Sequence, residues 1–345
     1  MHRRLACFTA AIFACSAGAM LALADVEVQP VPMEGVAIAV ENVPVELRSA
    51  DPTDTRLGKL IYRGGISVVP RDDRFGGLSG FKVSSEGSKF VAVSDTGNWT
   101  TGSLQYDDKG NLIGAGDVFV APLLGADGQS LHGKDEGDAE SLAFQNPYGL
   151  VGTAYVGFER DHRVLSYDFM VDGVKARGQL VPMPEAVKAL RSNSGLEVLA
   201  ALDSDRIVAI AEEGPRDENE DSPGWVVNTN TGETVSFTMK RILPYSLTDA
   251  TMLPDGRILV LERRFAPTTG PGAELRAYDP ATFTEGATVE GDLIAVLFAG
   301  VTVDNMEGVA ARQTDDGKTL IYVVSDDNFQ RPLQRTLIMM FELAE

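Results

Sequence analysis

The chain has 345 residues, of which 44% are hydrophobic and 23% charged, a profile that excludes a disordered, collagen-like or polytopic membrane protein. Against 30 Lys and Arg stand 50 Asp and Glu, a formal net charge of -20 with no basic stripe, which speaks against any nucleic-acid partner.

The N-terminus carries Arg3 and Arg4, a mostly apolar run from Leu5 to Leu23, and the small-residue site Ala22-Leu23-Ala24 before Asp25. This is the pattern of a cleaved export signal over residues 1–24, with an uncleaved anchor and lipidation at Cys15 as alternatives. Cleavage removes Cys7 and Cys15, so the mature chain is expected to have no disulfide, no thiol nucleophile and no cysteine-bound zinc. A periplasmic or secreted protein with no membrane attachment after cleavage is expected. Residues 25–56 read as an N-terminal extension and 57–345 as one domain, expected to be a monomer.

Beyond the extension, one plan recurs five times: a polar residue, an apolar run, a turn, a second apolar run and an acid. The segments begin at Ser79, Glu140, Glu197, Asp249 and Glu307 and close with Asp95, Glu159, Glu212, Glu262 and Asp326. Their turns, such as Ser85-Glu86-Gly87, Pro254-Asp255-Gly256 and Asp315-Asp316-Gly317, are hairpin chemistry. The spacing of roughly 50–60 residues leaves room for two more strands per repeat. Candidates for the third strand are Ser103 to Tyr106, Val164 to Phe169, Trp225 to Asn228, Glu274 to Tyr278 and Thr336 to Phe341. Candidates for the fourth are Val118 to Ala121, Gly178 to Val181, Thr234 to Phe237 and Leu293 to Phe298. The fifth repeat lacks a fourth strand, which Lys59 to Val69 can supply by pairing the two ends of the chain. The fold class is therefore all-β: a β-propeller of five four-stranded blades, a degenerate sixth left open, with the ring closed by an N-terminal strand. A β-sandwich and a β-helix are the competing architectures. Helix is scarce, Glu185 to Arg191 being the fair candidate.

A propeller's first strand lines the channel and its second returns beside it, so opening and closing residues reach the same mouth. Asp95, Glu140, Glu159, Glu197, Glu212, Asp249, Glu262, Glu307 and Asp326 are expected to converge there. So many like charges in a confined space call for protons or cations, and hard oxygen ligands favour Ca²⁺, or Mg²⁺ less often. The plainer alternative is that several are solvated loop acids or pair with Arg160, Arg263 and Arg264.

Other motifs carry less. Gly128 to Lys134 has the spacing of a phosphate loop, but Asp135 stands where Ser or Thr is needed and further acids follow. Phe81 breaks the pattern of a nucleophile elbow at Gly77-Leu78-Ser79-Gly80. The mature chain keeps His132 and His162; His162, within Glu159-Arg160-Asp161-His162-Arg163, is the better proton-transfer candidate, set against a surface-loop histidine.

Several segments carry a family resemblance: Gly76-Gly77-Leu78-Ser79-Gly80, Val93-Ser94-Asp95-Thr96-Gly97, Asp138-Ala139-Glu140-Ser141-Leu142, Phe158-Glu159-Arg160-Asp161-His162-Arg163, Gly195-Leu196-Glu197, Leu261-Glu262-Arg263-Arg264-Phe265, Asp304-Asn305-Met306-Glu307-Gly308 and Ser325-Asp326-Asp327-Asn328-Phe329. In order, from about Gly76 to Phe341, the chain resembles the bacterial "esterase-like activity of phytase" family. Ser141 departs from the glycine expected by analogy with Gly308. The resemblance implies a secreted or periplasmic ester hydrolase. Two functions follow as expectations. One is a metal-dependent hydrolase of a small anionic phosphate or carboxyl ester, with Arg160 and His162 as catalytic candidates and Arg163, Arg263 and Arg264 holding the anion. The other is a non-catalytic propeller that binds a ligand or protein and holds metal for structure alone.

Overall fold

The computed structural model describes Met33 and residues 35–214, 220–331 and 333–344. The expected export signal lies outside the described residues.

Four-stranded antiparallel sheets repeat around a central channel as five blades. Blade 1 is Leu78–Val83, Lys89–Ser94, Asn98–Tyr106 and Leu112–Pro122. Blade 2 is Ala139–Asn146, Val151–Phe158, Arg163–Tyr167 and Gln179–Leu180. Blade 3 is Val198–Ala201, Arg206–Ile210, Ser222–Asn228 and Thr234–Met239, and blade 4 is Ser246–Met252, Ile258–Ala266, Gly270–Tyr278 and Asp292–Leu297. Blade 5 takes Asn305–Gln313, Thr319–Asp326 and Thr336–Leu343 from the end of the chain and Leu60–Pro70 from its beginning. That last strand pairs antiparallel with Thr336–Leu343, Leu343 facing Leu60 and Thr336 facing Val68, so the ring is closed by the N-terminal strand as expected.

The first strands are buried along most of their length, polar residues included, because each blade is covered on both faces by its neighbours. Five separate cores result, one at each blade-to-blade interface. Between blades 1 and 2, Trp99 meets Tyr167 edge-on at 5.2 Å and Phe169 at 5.5 Å. Between blades 5 and 1, Phe81 stacks on Phe90 at 5.4 Å in a core shared with Ile66, Tyr322 and Met340. Full burial of each such side chain is worth about 1.5–3 kcal/mol.

Beyond the blades, Val36–Ile38 pairs with the outer strand of blade 1 and Val40–Pro44 with the outer strand of blade 5. Those two outer strands touch through one parallel bridge, Gly64 to Leu112. A side chain at Gly64 would place its Cβ 2.4 Å from the Leu112 carbonyl oxygen, so glycine is required at this closure. The expected helix over Glu185 to Arg191 is a 3-10 turn, Glu185–Ala189.

The channel is bridged at its waist. Lys82 Nζ, on blade 1, lies 2.9 and 3.0 Å from the two carboxylate oxygens of Asp249 on blade 4 and donates to the Val309 carbonyl on blade 5. Asp249 also accepts from the Val309 and Phe81 amides. This pair ties blades 1, 4 and 5 together.

Candidate metal centre at the channel mouth

Strand register decides which side chains reach the mouth. In blade 2, Ser141 pairs with Gly157 and Ala139 with Phe158, leaving Glu140 as the extra residue of a β-bulge. Blade 5 repeats this: Gly308 faces Val324 and Met306 faces Ser325, so Glu307 bulges. A bulge turns the unpaired residue out of the ladder, and here it turns both acids into the mouth. In blade 3, Val198 faces Ile210, placing Glu197 and Glu212 at the equivalent ends. Three of the closing residues are fixed by their amides: Asp95 donates to the Gly77 carbonyl, Glu159 to that of Asp138 and Glu212 to that of Gly195.

Blade 4 departs from the register of the repeat by one residue. Asp249 pairs with Leu261 and Leu247 with Glu262, so the bulge falls on Thr248. A shift of one residue moves a side chain to the other face of a strand. Thr248 and Arg263 therefore hold the ring positions expected for Asp249 and Glu262. Asp249 drops to the waist beside Lys82, while Glu262 turns to Tyr278, whose hydroxyl lies 3.3 Å away, and toward Arg276.

The mouth thus gathers Asp95, Glu140, Glu159, Glu197, Glu212, Glu307 and Asp326, joined by Asp138. Asp138, Glu140 and Glu159 each offer an oxygen within 4.8 Å of the others, a group able to hold a metal ion. Glu140 Oε2 accepts from Ser79 Oγ at 3.0 Å. Glu197, 8% exposed, has no hydrogen-bonded or ion-paired partner among the described residues. Asp326 accepts from the Leu78 amide at 3.1 Å.

Burial first, and like-charged neighbours second, raise these acids. Glu159 is pushed up to about 7 by burial and Asp138, and Asp326 up to about 8 by burial and Glu307. Burial lifts Glu212 to about 7 although Arg263 pulls the other way. Glu140 and Glu197 are held well above the usual carboxylate range by burial and by facing acids. Burial is the larger cause in each, and the facing acids add to it.

Among the described residues, three cations reach the ring and each is engaged. Lys134 Nζ lies 2.9 Å from both Asp95 Oδ2 and Asp138 Oδ1. Arg160, at φ +62°, donates from Nε to Asp138 Oδ2 at 3.0 Å, and Arg263 Nε is 2.8 Å from Glu307 Oε1. The other expected residues lie elsewhere. His162 is buried, Nε2 2.9 Å from the Arg191 carbonyl oxygen. Arg163 lies over the Phe158 ring and donates to the Glu136 carbonyl. Arg264 lies over the Phe298 ring at 4.1 Å.

Sequence reasoning passed over Asp138 and Lys134 as ring members. Asp138 stands two residues before Glu140, on the same side of an extended chain, and that period-two spacing was the available signal. The motif residues also find their use. Gly76-Gly77 crosses the mouth so closely that a Cβ on Gly77 would lie 2.0 Å from Asp95 Oδ1 and 2.8 Å from the Phe329 ring. Asp327 Oδ1 accepts from the Phe329 amide at 3.1 Å, holding that ring in place. Ser141, in place of the glycine, donates to the Leu196 carbonyl and links blades 2 and 3.

Fold and mouth together define a five-bladed propeller with a carboxylate-lined, metal-capable channel end. A family model described as phytase-like, esterase-like activity of phytase, matches residues 73–329. The chain belongs to that family. No curated protein matches the chain. Among solved structures, the chain is similar to the β-propeller domain of Cps50 (Swd1) from Myceliophteria thermophila, with a TM-score of 0.41 and 9% identity over 88% of this chain and 99% of that one.

Proposed function

We propose that the protein is an exported, Ca²⁺-dependent hydrolase of small phosphate or carboxyl esters, working as a monomer in the periplasm or outside the cell, with Mg²⁺ the alternative ion. The observation that carries this reading is the Asp138, Glu140 and Glu159 group set in a ring of acids. These three residues would hold the metal, which when bound would polarise an ester oxygen and neutralise the substrate's charge. Glu197 and Glu212, outside that group, are the carboxylates available to accept a proton from attacking water. Arg160, at the rim, would orient the anionic group. His162, engaged by a carbonyl, would hold the Arg191 segment and leave proton transfer to the mouth carboxyls. Export is supported by the signal pattern at residues 1–24.

A second reading, a ligand-binding propeller with structural metal, is favoured by one observation: Lys134, Arg160 and Arg263 are all committed to acids. Melts of the purified protein in EDTA, CaCl₂ and NaCl of equal ionic strength, paired with aryl phosphate and aryl ester assays, separate the readings. One Ca²⁺ site at a hundred times its Kd adds about 2.7 kcal/mol of stability, and Glu140→Gln should shrink that response. Hydrolysis that needs Ca²⁺ and stops with chelator supports the hydrolase. Stabilisation without hydrolysis supports the second reading, and no Ca²⁺-specific shift sinks both.

A further inference from the structure

Lys134 sits on a five-residue helix, Gly133–Gly137, and its ammonium bridges Asp95 on blade 1 and Asp138 on blade 2. At the C-terminal end of the helix, Arg163 donates to the Glu136 carbonyl, and Gly137 packs against Gly97 and Leu131. At the other end, Gly133 has φ +69° and open space where a Cβ would stand. The Lys134 side chain is 51% exposed, so its ammonium can leave for water without unpacking a core.

Asp138 has two oxygens, and each is taken: Oδ1 by Lys134 and Oδ2 by Arg160. A metal that uses Asp138 must displace one of these cations or sit against it. An ammonium beside a divalent ion is repelled strongly at such distances. Arg160 is aimed at Asp138 by its own left-handed backbone, whereas Lys134 reaches in on a long stem that is half exposed to water. A second observation beside the Asp138, Glu140 and Glu159 group points to a ligand: Glu197, 8% exposed and with no hydrogen-bonded or ion-paired partner among the described residues, faces Glu140 and Glu212 across the same mouth.

We infer that Lys134 is a tethered competitor for the metal, occupying Asp138 in the metal-free protein and leaving when a divalent cation engages Asp138, Glu140 and Glu159. The inference rests on the metal reading above and adds its control. The lysine lends countercharge to Asp95 and Asp138 and sets a threshold of cation concentration for loading.

Calorimetric titration of CaCl₂ into the wild type, Lys134→Met and Lys134→Arg tests it, with a melt of each in EDTA. Lys134→Met should bind Ca²⁺ roughly ten-fold more tightly, the scale expected for removing a nearby unit charge that can partly swing away, and Lys134→Arg should match the wild type. As a measure independent of the variants' folding, acylation of lysines on the wild type, read by mass spectrometry, should rise several-fold at Lys134 on Ca²⁺ saturation and stay unchanged at Lys89 and Lys318. Ca²⁺ binding to the wild type with unaltered affinity in Lys134→Met, or with unaltered Lys134 acylation, overturns the competitor and leaves the metal site standing. Absence of binding in the wild type and in Lys134→Met removes the metal site and the competitor with it.

Discussion

Arg263 on blade 4 faces Glu307 on blade 5, Nε 2.8 Å from Oε1, in the ring position that blades 1, 2, 3 and 5 fill with a carboxylate. The slipped register of blade 4 thus supplies a cation where the repeat would have added another acid. Glu212 and Glu197 also feel its charge. Arg263→Met leaves Glu307 buried with the Asn305 amide but no cation, a loss expected to reach about 1–3 kcal/mol, below the range for fully buried pairs because Arg263 is partly solvated. Glu307→Gln removes the acid as well as the need for the cation, so Arg263→Met on that background should cost less than on the wild type. Urea unfolding of both single variants and the double variant at pH 8 gives the coupling; strictly additive losses would mean the two residues do not act as a pair.

The raised carboxyls make metal-free stability depend on pH with a definite sign. Glu159 and Glu212 at about 7 and Asp326 at about 8 keep protons that the unfolded chain releases near 4.5 and 3.8. Folded groups with raised values contribute stability that is complete below the unfolded values and disappears as pH climbs through the folded ones. Asp249 at about 6 and Glu262 at about 7, both raised by burial, act in the same direction. In EDTA the Tm should therefore fall between pH 5 and pH 8. Saturating Ca²⁺ replaces those protons and should flatten the slope, while binding itself weakens at pH 5. A Tm in EDTA that is level or rises over this interval would show that the ring is compensated by its own cations.

Hairpin positions were legible because they rest on periodicity and turn chemistry. The paired ends Ser79 with Asp95, Glu140 with Glu159 and Glu307 with Asp326 all close one mouth, and Leu60–Pro70 closes the ring within a residue of the expected span. The blade 4 register was not legible. A β-bulge at Thr248 is a backbone event without a composition signature, and it alone decides whether Glu262 or Arg263 faces the channel. Lys82 was hidden for another reason. A lysine in an apolar strand reads as a solvent-facing residue until its partner Asp249 arrives from a strand far along the chain. The direction of His162 depends on the Arg191 carbonyl, which no local pattern announces.

Ring closure carries its own expectation. Deleting residues through Val69 removes the partner of Thr336–Leu343 and takes Leu60, Ile66 and Val68 out of two cores. Three buried side chains at about 1.5–3 kcal/mol each rival the whole stability of a domain, about 5–15 kcal/mol, and the bared strand edge invites pairing between molecules. The truncated chain should be insoluble or unfolded, and the milder Ile66→Ala should cost about 2–5 kcal/mol. Sedimentation and circular dichroism of the truncated protein decide the matter: a soluble form that melts with the parent would show that the N-terminal strand does not close the ring.

The waist pair gives the sharpest stability test because it lies away from the proposed metal ligands. Lys82 and Asp249 are both buried, and Asp249 receives the amides of Phe81, Val309 and Ala250 as well as the ammonium. Lys82→Met preserves the stem and its packing but leaves a buried carboxylate facing amides alone. Removing one member of a buried pair costs about 3–5 kcal/mol. The loss should be greater at pH 8 than at pH 5, because without the ammonium Asp249 rises further from its present value of about 6 and at low pH takes up a proton in place of the lost cation. Combining Lys82→Met with Asp249→Asn removes both charges while leaving a carbonyl oxygen for the amides, so the double variant should recover part of the stability. Chemical denaturation of the set at both pH values provides the check. A Lys82→Met loss under 1 kcal/mol that is equal at pH 5 and pH 8 would mean that water, not Lys82, compensates Asp249 at the centre of the channel.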